Sequence, residues 1–220
     1  MNKIRKLLWE IFFPKYCLNC RQPGEYLCPD CLALIDFPLG PLRGFEFLSS
    51  LYFAADYKNF IVKNLIQKLK YQPFAKELAK DLSSIIITYL KNLEKQPEFL
   101  KNKEELIFLS IPLAFKKLKY RGFNQAEEIA KILAAYFNIP FLPNGLIKIK
   151  ETTPQINLAE NERKQNVKNV FSVTRPDLIS GKKIILVDDV FTTGATMEEA
   201  AKILKKAGAK QVVGLTVAHG

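Results

Sequence analysis

Two hydrophobic patterns follow one another along the chain from residue 45 onwards. Short apolar runs predict β-strands at residues 45–55, 106–111, 146–149, 183–187 and 211–217. Apolar residues spaced three or four apart predict amphipathic helices at residues 59–69, 74–93, 124–136 and 195–207. Alternating strands and helices are typical of a parallel sheet with helices packed on its faces. The pattern therefore predicts the α/β class.

An additional amphipathic stretch lies at the start of the chain. Apolar residues recur there at helical spacing, at Ile4, Leu7, Leu8, Ile11 and Phe12. We expect a short helix that docks on neighbouring parts of the protein, and attachment to a membrane surface is the alternative. A purely structural, membrane-associated adaptor is the weakest functional hypothesis that follows from it.

No transmembrane segment is predicted. The longest uncharged stretch, residues 132–147, has sixteen residues and contains two prolines, whereas a membrane-spanning helix needs about 20 mostly apolar residues. Glu10 interrupts the apolar part of the basic N-terminus, and no small-residue cleavage site of a signal peptide follows. We therefore expect a cytoplasmic protein, with the inner face of the membrane as an alternative position.

Composition and charge narrow the class of partner. The chain has 220 residues, of which 48% are hydrophobic and 25% charged, as in an ordinary globular protein of one or two domains. Lys and Arg number 33 against 22 Asp and Glu, which gives a net charge of +11. Such a surplus favours nucleic acid, an anionic membrane or a phosphorylated metabolite as partner. A charge that only keeps the protein soluble is the alternative.

All four cysteines form one pattern, C-x2-C-x7-C-x2-C, at Cys17, Cys20, Cys28 and Cys31. Two such pairs supply four thiolates to a tetrahedral Zn²⁺ and leave no open position, so the metal would be structural. An iron–sulfur or redox centre and disulfides are the alternatives, and disulfides are rare in the cytosol. We predict a small N-terminal module at residues 1–35, made of the helix and the zinc site, and a main domain at residues 36–220.

The segment IILVDDVFTTGAT, residues 184–196, has the features of a ligand site. Ligands of open α/β sheets bind beyond the carboxyl ends of the strands, where we expect Asp188 and Asp189 to be exposed. The hydroxyls and backbone amides of the following turn lie at a helix N-terminus, which favours a phosphate. Carboxylates beside a phosphate suit ribose hydroxyls or a divalent cation. The segment predicts a phosphoribosyl ligand, and a Thr-rich helix cap after two solvated carboxylates is the alternative.

This segment resembles the phosphoribosyl pyrophosphate (PRPP) signature of type I phosphoribosyltransferases. Together with the four-cysteine module, three further stretches resemble the ComF family of competence-associated proteins. They are the sequence YRGFNQA at residues 120–126, Thr153-Pro154-Gln155, and Arg163 with Asn166 and Val167 before Phe171. The resemblance covers nearly the whole chain.

The resemblance implies a type I phosphoribosyltransferase-like fold, with a parallel sheet of about five strands, a hood subdomain and a small N-terminal four-cysteine zinc module. It places Asp188 and Asp189 on the ribose hydroxyls and Mg²⁺ on the pyrophosphate. The 5-phosphate would bind the turn formed by Thr192, Thr193, Gly194, Ala195 and Thr196. A loop at residues 112–121 would face the pyrophosphate, with Arg121 as its main ligand, and residues 150–170 would form a mobile flap. Asp188, Asp189 and Arg121 are therefore the candidate catalytic residues.

A cationic stretch suggests a second ligand. Aromatic rings at Tyr120 and Phe123 are interleaved with four cations, at Lys116, Lys117, Lys119 and Arg121. Cations mixed with stacking rings are typical of single-stranded DNA binding. We favour a PRPP-binding ComF-like protein that acts in DNA uptake during natural transformation or in handling single-stranded DNA, with competence or DNA-uptake proteins as partners. An active phosphoribosyltransferase with a nitrogen acceptor is the alternative, so whether the chain is an enzyme stays open.

Overall fold

The computed structural model of this protein describes residues 15–71, 75–150 and 167–220. The predicted N-terminal helix, the motif at Thr153-Pro154-Gln155, and Arg163 and Asn166 lie outside the described residues, as does most of the predicted flap. Within the described residues, no helix combines the length and the apolar character that a membrane crossing requires.

Parallel strands form the central sheet in the order β1-β6-β5-β2. Their bounds are β1 (Ser50–Asp56), β2 (Leu106–Ser110), β5 (Lys183–Phe191) and β6 (Gln211–His219). Strands β5 and β6 are central and almost wholly buried, which explains their continuous apolar runs, since helices cover both faces of such a sheet. Phe141 continues the sheet beyond β2 through a single parallel bridge to Phe108.

The described residues form α-helices, the longer of which pack on both faces of the sheet. In chain order they are α1 (Pro29–Ala33), α2 (Phe60–Tyr71), α3 (Leu78–Asn92), α4 (Phe115–Arg121), α5 (Gln125–Phe137), α6 (Pro176–Ile179) and α7 (Ala195–Lys206). Buried residues of α2, α3 and α5 form one core with Ile185 and Val187 of β5. The opposite core contains buried residues of α7 with Ile184 and Leu186. Side chains of residues 184–187 in β5 thus point alternately toward these two helical layers.

Three differences between the predicted and the observed elements affect the surroundings of the ligand site. The first strand begins at Ser50 instead of residue 45, because the Phe47 N–H donates to the Glu198 carboxylate (2.9 Å) instead of to a neighbouring strand. The run at residues 146–149 forms β3 (Leu146–Lys148), which pairs antiparallel with β4 (Phe171–Val173) outside the central sheet. The predicted loop at residues 112–121 contains α4, which has no buried residue and hence no apolar stripe to reveal it.

The cysteine module packs against the main sheet domain. Leu27, Cys28 and Ile35 are buried in the same core as the helix α3. The ring of Phe37 lies 6.3 Å from that of Tyr89, a fully buried residue of α3. The two parts of the chain therefore share one apolar core, although the division at residue 35 stays a prediction.

Candidate functional site

The two adjacent carboxylates of β5 differ in their surroundings. Asp188 lines a depression of about 90 Å³ together with residues 192–196. Asp189 points toward the layer that contains α2 and is only 8% exposed. The expectation that both carboxylates are exposed is wrong for Asp189, because its side chain lies against Lys70 of α2.

Lys70 of α2 holds the buried carboxylate. Its Nζ lies 2.7 Å from Oδ2 of Asp189, while Oδ1 of Asp189 accepts the Val190 N–H at 2.9 Å. Although burial by itself lowers the pKa of Lys70, the carboxylates of Asp189 and Asp188 raise that pKa above its ordinary value. Both oxygens of Asp189 are therefore engaged, and the lysine is held in its charged form.

Asp188 is the carboxylate that faces the depression. Its Oδ1 accepts the N–H of Asp189 at 2.8 Å. Burial raises the pKa of Asp188 well above its ordinary range, and the negative charge of Asp189 raises it further. A ligand that donates hydrogen bonds or brings a cation here would stabilise the ionised carboxylate.

The turn after β5 depends on glycine at one position. Gly194 is the N-cap of α7 and has a φ of 78°, in the left-handed region. A Cβ on Gly194 would lie 2.4 Å from Cζ of Phe191. Phe191 is itself buried, with its ring 5.7 Å from that of His219 and 5.6 Å from that of Phe45. The turn thus rests on a packed aromatic cluster, to which His219 belongs.

We expect Gly194→Ala to lower the free energy of unfolding by about 2–5 kcal/mol. The left-handed conformation costs an L-residue about 1–2 kcal/mol, and overpacking against Phe191 costs about 1–3 kcal/mol. Denaturant unfolding measures the loss. Gly181→Ala is the matched control, because Gly181 has a φ of 74° but open space around its Cβ position, so about 1–2 kcal/mol is expected. Equal losses in the two variants would contradict the proposed contact with Phe191.

The four predicted cations lie on one exposed helix, α4. Its rings are exposed as well, with Phe115 at 74% and Tyr120 at 83%. The Arg121 guanidinium lies 5.6 Å from the ring centroid of Tyr71 at the end of α2. Phe123, in contrast, packs against the buried core and does not join the exposed rings. The exposed surface that combines cations with aromatic rings is thus formed by α4 and Tyr71. Tyr71 directly follows Lys70 in the sequence.

Asn124 fixes the entry into α5. Its Oδ1 accepts the Ala126 N–H at 3.1 Å, and its Nδ2 donates to the carbonyl of Ile111 at 2.9 Å. These bonds connect the start of α5 to the segment that follows β2. Within the described part of the YRGFNQA stretch, Asn124 is therefore a structural residue that holds this segment in place.

Sequence reasoning missed three residues around the site. Lys70 pairs with Asp189, Glu198 accepts the Phe47 N–H, and Glu199 accepts the Asn169 N–H at 2.8 Å. The two glutamates attach the segments before β1 and before β4 to the start of α7. Each of the three is a charged residue within an amphipathic helix. The hydrophobic pattern predicts the helix but does not indicate which distant group such a residue contacts.

The four cysteine sulfurs lie together. All four Sγ atoms are within 4.8 Å of one another, and those of Cys20 and Cys28 are 3.5 Å apart, far longer than the ~2.05 Å of a disulfide. A tetrahedral Zn²⁺ with Zn–S bonds of about 2.3 Å would place its sulfur ligands about 3.8 Å apart. Although burial by itself raises the pKa of Cys17, N–H groups of Cys28, Cys20 and Asn19 lower it to about 6. The sulfur set fits a tetrahedral thiolate-bound metal.

A family model described as "Phosphoribosyl transferase domain" matches residues 118–219. The matched segment includes α5, β5 with both carboxylates, the Gly194 turn and β6. It begins within α4 and therefore excludes β1, α2 and the cysteine module. The model thus covers the part of the chain that contains the depression.

Three curated proteins are similar to this chain. Competence protein F of Haemophilus influenzae is 33% identical over 67% of this chain and 63% of its own length. DNA utilization protein YhgH of Shigella flexneri is 30% identical over 89% of this chain and 85% of its own length. Competence protein ComFC of Streptococcus pneumoniae is 37% identical over 52% of this chain and 49% of its own length. The chain thus spans less than two thirds of the first and third relatives, and most of the second.

Proposed function

Because this chain belongs to the ComF family and contains a phosphoribosyl transferase domain, we propose that it binds PRPP and acts in DNA uptake or in the handling of single-stranded DNA. The observation that carries the proposal is the depression at the carboxyl end of β5, where Asp188 meets the Gly194 turn. The names of the relatives, competence protein and DNA utilization protein, motivate the DNA role. We further propose a cytoplasmic location and other competence or DNA-uptake proteins as partners.

The depression accommodates a phosphorylated sugar in the following way. The 5-phosphate binds the turn at residues 192–196, where unpaired N–H groups and the dipole of the twelve-residue helix α7 favour an anion. Asp188 accepts hydrogen bonds from the ribose hydroxyls in the depression. Asp189, which is only 8% exposed, accepts a further one through an oxygen that also contacts Lys70 or the Val190 N–H. Arg121 binds phosphate oxygens of the pyrophosphate, since a guanidinium donates two parallel hydrogen bonds. Mg²⁺, when bound, neutralises the pyrophosphate.

Transfer of the phosphoribosyl group to a nitrogen acceptor is the second candidate function. Such a reaction passes through an oxocarbenium-like ribose, so the protein has to orient PRPP and neutralise the leaving pyrophosphate. Asp188 with Asp189 and the Gly194 turn supply the first requirement, and Arg121 supplies the second. A panel of nitrogen acceptors incubated with PRPP distinguishes the two functions: pyrophosphate released with one acceptor establishes turnover, and binding without release favours the accessory role.

The DNA-binding surface that we propose is the exposed helix α4, with Lys116, Lys117, Lys119 and Arg121. Tyr71 and Tyr120 add exposed rings, at 64% and 83% exposure, on which bases can stack. Arg121 lies on Tyr71 and also belongs to the proposed pyrophosphate site. PRPP and single-stranded DNA therefore share one cation, and saturating PRPP is expected to weaken DNA binding.

Replacing Lys116, Lys117 and Lys119 by alanine tests the DNA surface. If each lysine neutralises one phosphate, the slope of log affinity against log salt should become shallower by roughly 2, at ~0.7 per single-strand phosphate. Fluorescence anisotropy with a labelled oligonucleotide, at several salt concentrations with and without PRPP, measures the slope. The control replaces the exposed Lys95, Lys101 and Lys206, which changes the net charge equally. An equal change of slope in both triple variants would argue for unspecific attraction and against this surface.

We propose that Cys17, Cys20, Cys28 and Cys31 bind a structural Zn²⁺. The set contains thiolates only, so a tetrahedral ion has no position left for water or substrate. The metal would therefore stabilise the module and take no part in chemistry at Asp188.

A further inference from the structure

Lys70 belongs to none of the motifs that point to the ligand site. It lies in the last turn of α2, outside the segment that matches the phosphoribosyl transferase domain. Its side chain is 22% exposed and its Nζ lies 2.7 Å from Oδ2 of Asp189. A lysine with so little contact with water needs a negative partner, and this carboxylate supplies it.

The contact fixes the position of the buried carboxylate. One oxygen of Asp189 accepts the Val190 N–H and the other contacts Lys70, so its side chain has little freedom to rotate. Two adjacent carboxylates at a strand end also repel each other, and without a nearby cation one of them takes up a proton at higher pH. Lys70 interacts with Asp188 as well as with Asp189.

We propose that Lys70 is a positioning residue of the PRPP site, whose ammonium group holds Asp189 in place beside Asp188 for binding the ribose hydroxyls. The inference rests on the proposed PRPP function. Lys70 lies in α2, between β1 and β2. A role for Lys70 would therefore make this segment of the chain part of the ligand site. The charged and titratable groups that influence Lys70 are Asp188, Asp189 and Tyr57.

The pH dependence of PRPP binding follows from this arrangement. The Lys70 charge opposes the rise in the pKa of Asp188, and its removal therefore raises that pKa further. Protonation then begins at higher pH, and a protonated carboxyl is a poorer hydrogen-bond acceptor for a ribose hydroxyl. Affinity is expected to fall on the acidic side, and the fall should begin at higher pH when the lysine charge is absent.

Lys70→Gln tests the proposal, because glutamine retains a hydrogen-bond donor for Asp189 and removes the charge. Calorimetric titration with PRPP and Mg²⁺, from about pH 5 to pH 9, measures affinity against pH. We expect affinity near neutral pH to fall about tenfold and the acidic decline to move up by about one pH unit, which corresponds to the loss of one charge-assisted contact. Lys70→Arg should restore both properties to near the wild-type values.

Two further variants make the result decisive. Lys63→Met on the exposed side of α2 should bind PRPP like the wild type, and Lys70→Met serves as a second uncharged variant if Lys70→Gln does not fold. A folded, uncharged variant with wild-type affinity and wild-type pH dependence overturns the inference while leaving the proposed function intact. A wild-type protein that does not bind PRPP at any pH overturns the proposed function, and the inference with it.

Discussion

Simultaneous replacement of Asp188 and Asp189 by alanine is expected to abolish Mg²⁺-dependent PRPP binding. A charge-assisted hydrogen bond contributes about 1.5–3 kcal/mol, so the loss of two such bonds should lower affinity by more than about 100-fold. Isothermal titration calorimetry with PRPP and Mg²⁺ measures the effect. Asp177→Ala is the matched control, since Asp177 is an exposed carboxylate paired with Arg175 outside the depression. Unchanged affinity in the double variant would mean that the ribose binds elsewhere.

The single variants separate binding from stability. Asp188→Ala removes the carboxylate that lines the depression and leaves the ion pair between Lys70 and Asp189 intact, so its fold should be preserved. Asp189→Ala leaves Lys70 buried without its partner, which should lower the free energy of unfolding by about 3 kcal/mol. Denaturant unfolding of both variants measures this difference. Equal stability of the two would contradict the buried position of the pair.

Cys28→Ser is expected to release the metal and to unfold the cysteine module. The wild-type protein should contain about one zinc per chain, bound by four thiolates, and structural zinc of this kind contributes on the order of 10–16 kcal/mol to folding of small modules. Because Cys28 is buried in the same core as α3, amide hydrogen exchange should increase in the module and in the adjoining face of α3. Elemental analysis measures the zinc.

A neighbouring variant provides the control for the metal site. Asp30→Ala changes an exposed residue between two of the cysteines and should retain zinc. A wild-type protein without stoichiometric metal, or cysteine mapping that finds native disulfides, would contradict the zinc proposal.

Features whose residues lie next to one another in the chain were predictable from the sequence. The predicted fold class and the family resemblance are confirmed. They were predictable because β5, its carboxylates and the Gly194 turn are neighbours in the chain and form one recognisable segment. The four cysteines likewise lie close in sequence, and their sulfurs meet as their spacing predicts. The roles of these residues toward PRPP, DNA and zinc remain predictions.

Contacts between distant segments were not predictable. Lys70 contacts Asp189 because α2 packs in the same core as Ile185 and Val187 of β5, and no local pattern of the sequence encodes that packing. Strands β5 and β6 also extend beyond their apolar runs, since Asp188 pairs with Thr216 and Phe191 with His219 in the ladder. Backbone hydrogen bonds continue there although the hydrophobic signal has stopped.

The hood subdomain remains a prediction, with α2 and α3 in the corresponding part of the chain.

The position of β6 within the sheet has a consequence for biosynthesis. Among the strands of the described residues, β1 pairs in the central sheet with β6 alone, although some 150 residues of chain are synthesised between them. Until residues 211–219 leave the ribosome, β1 exposes an unpaired edge and the core that it shares with β6 cannot close. Unpaired strand edges and non-local pairings slow folding and favour aggregation. Folding of this sheet is therefore expected to be completed only after β6 has been synthesised, and nascent chains that end before β6 are expected to be substrates for chaperones.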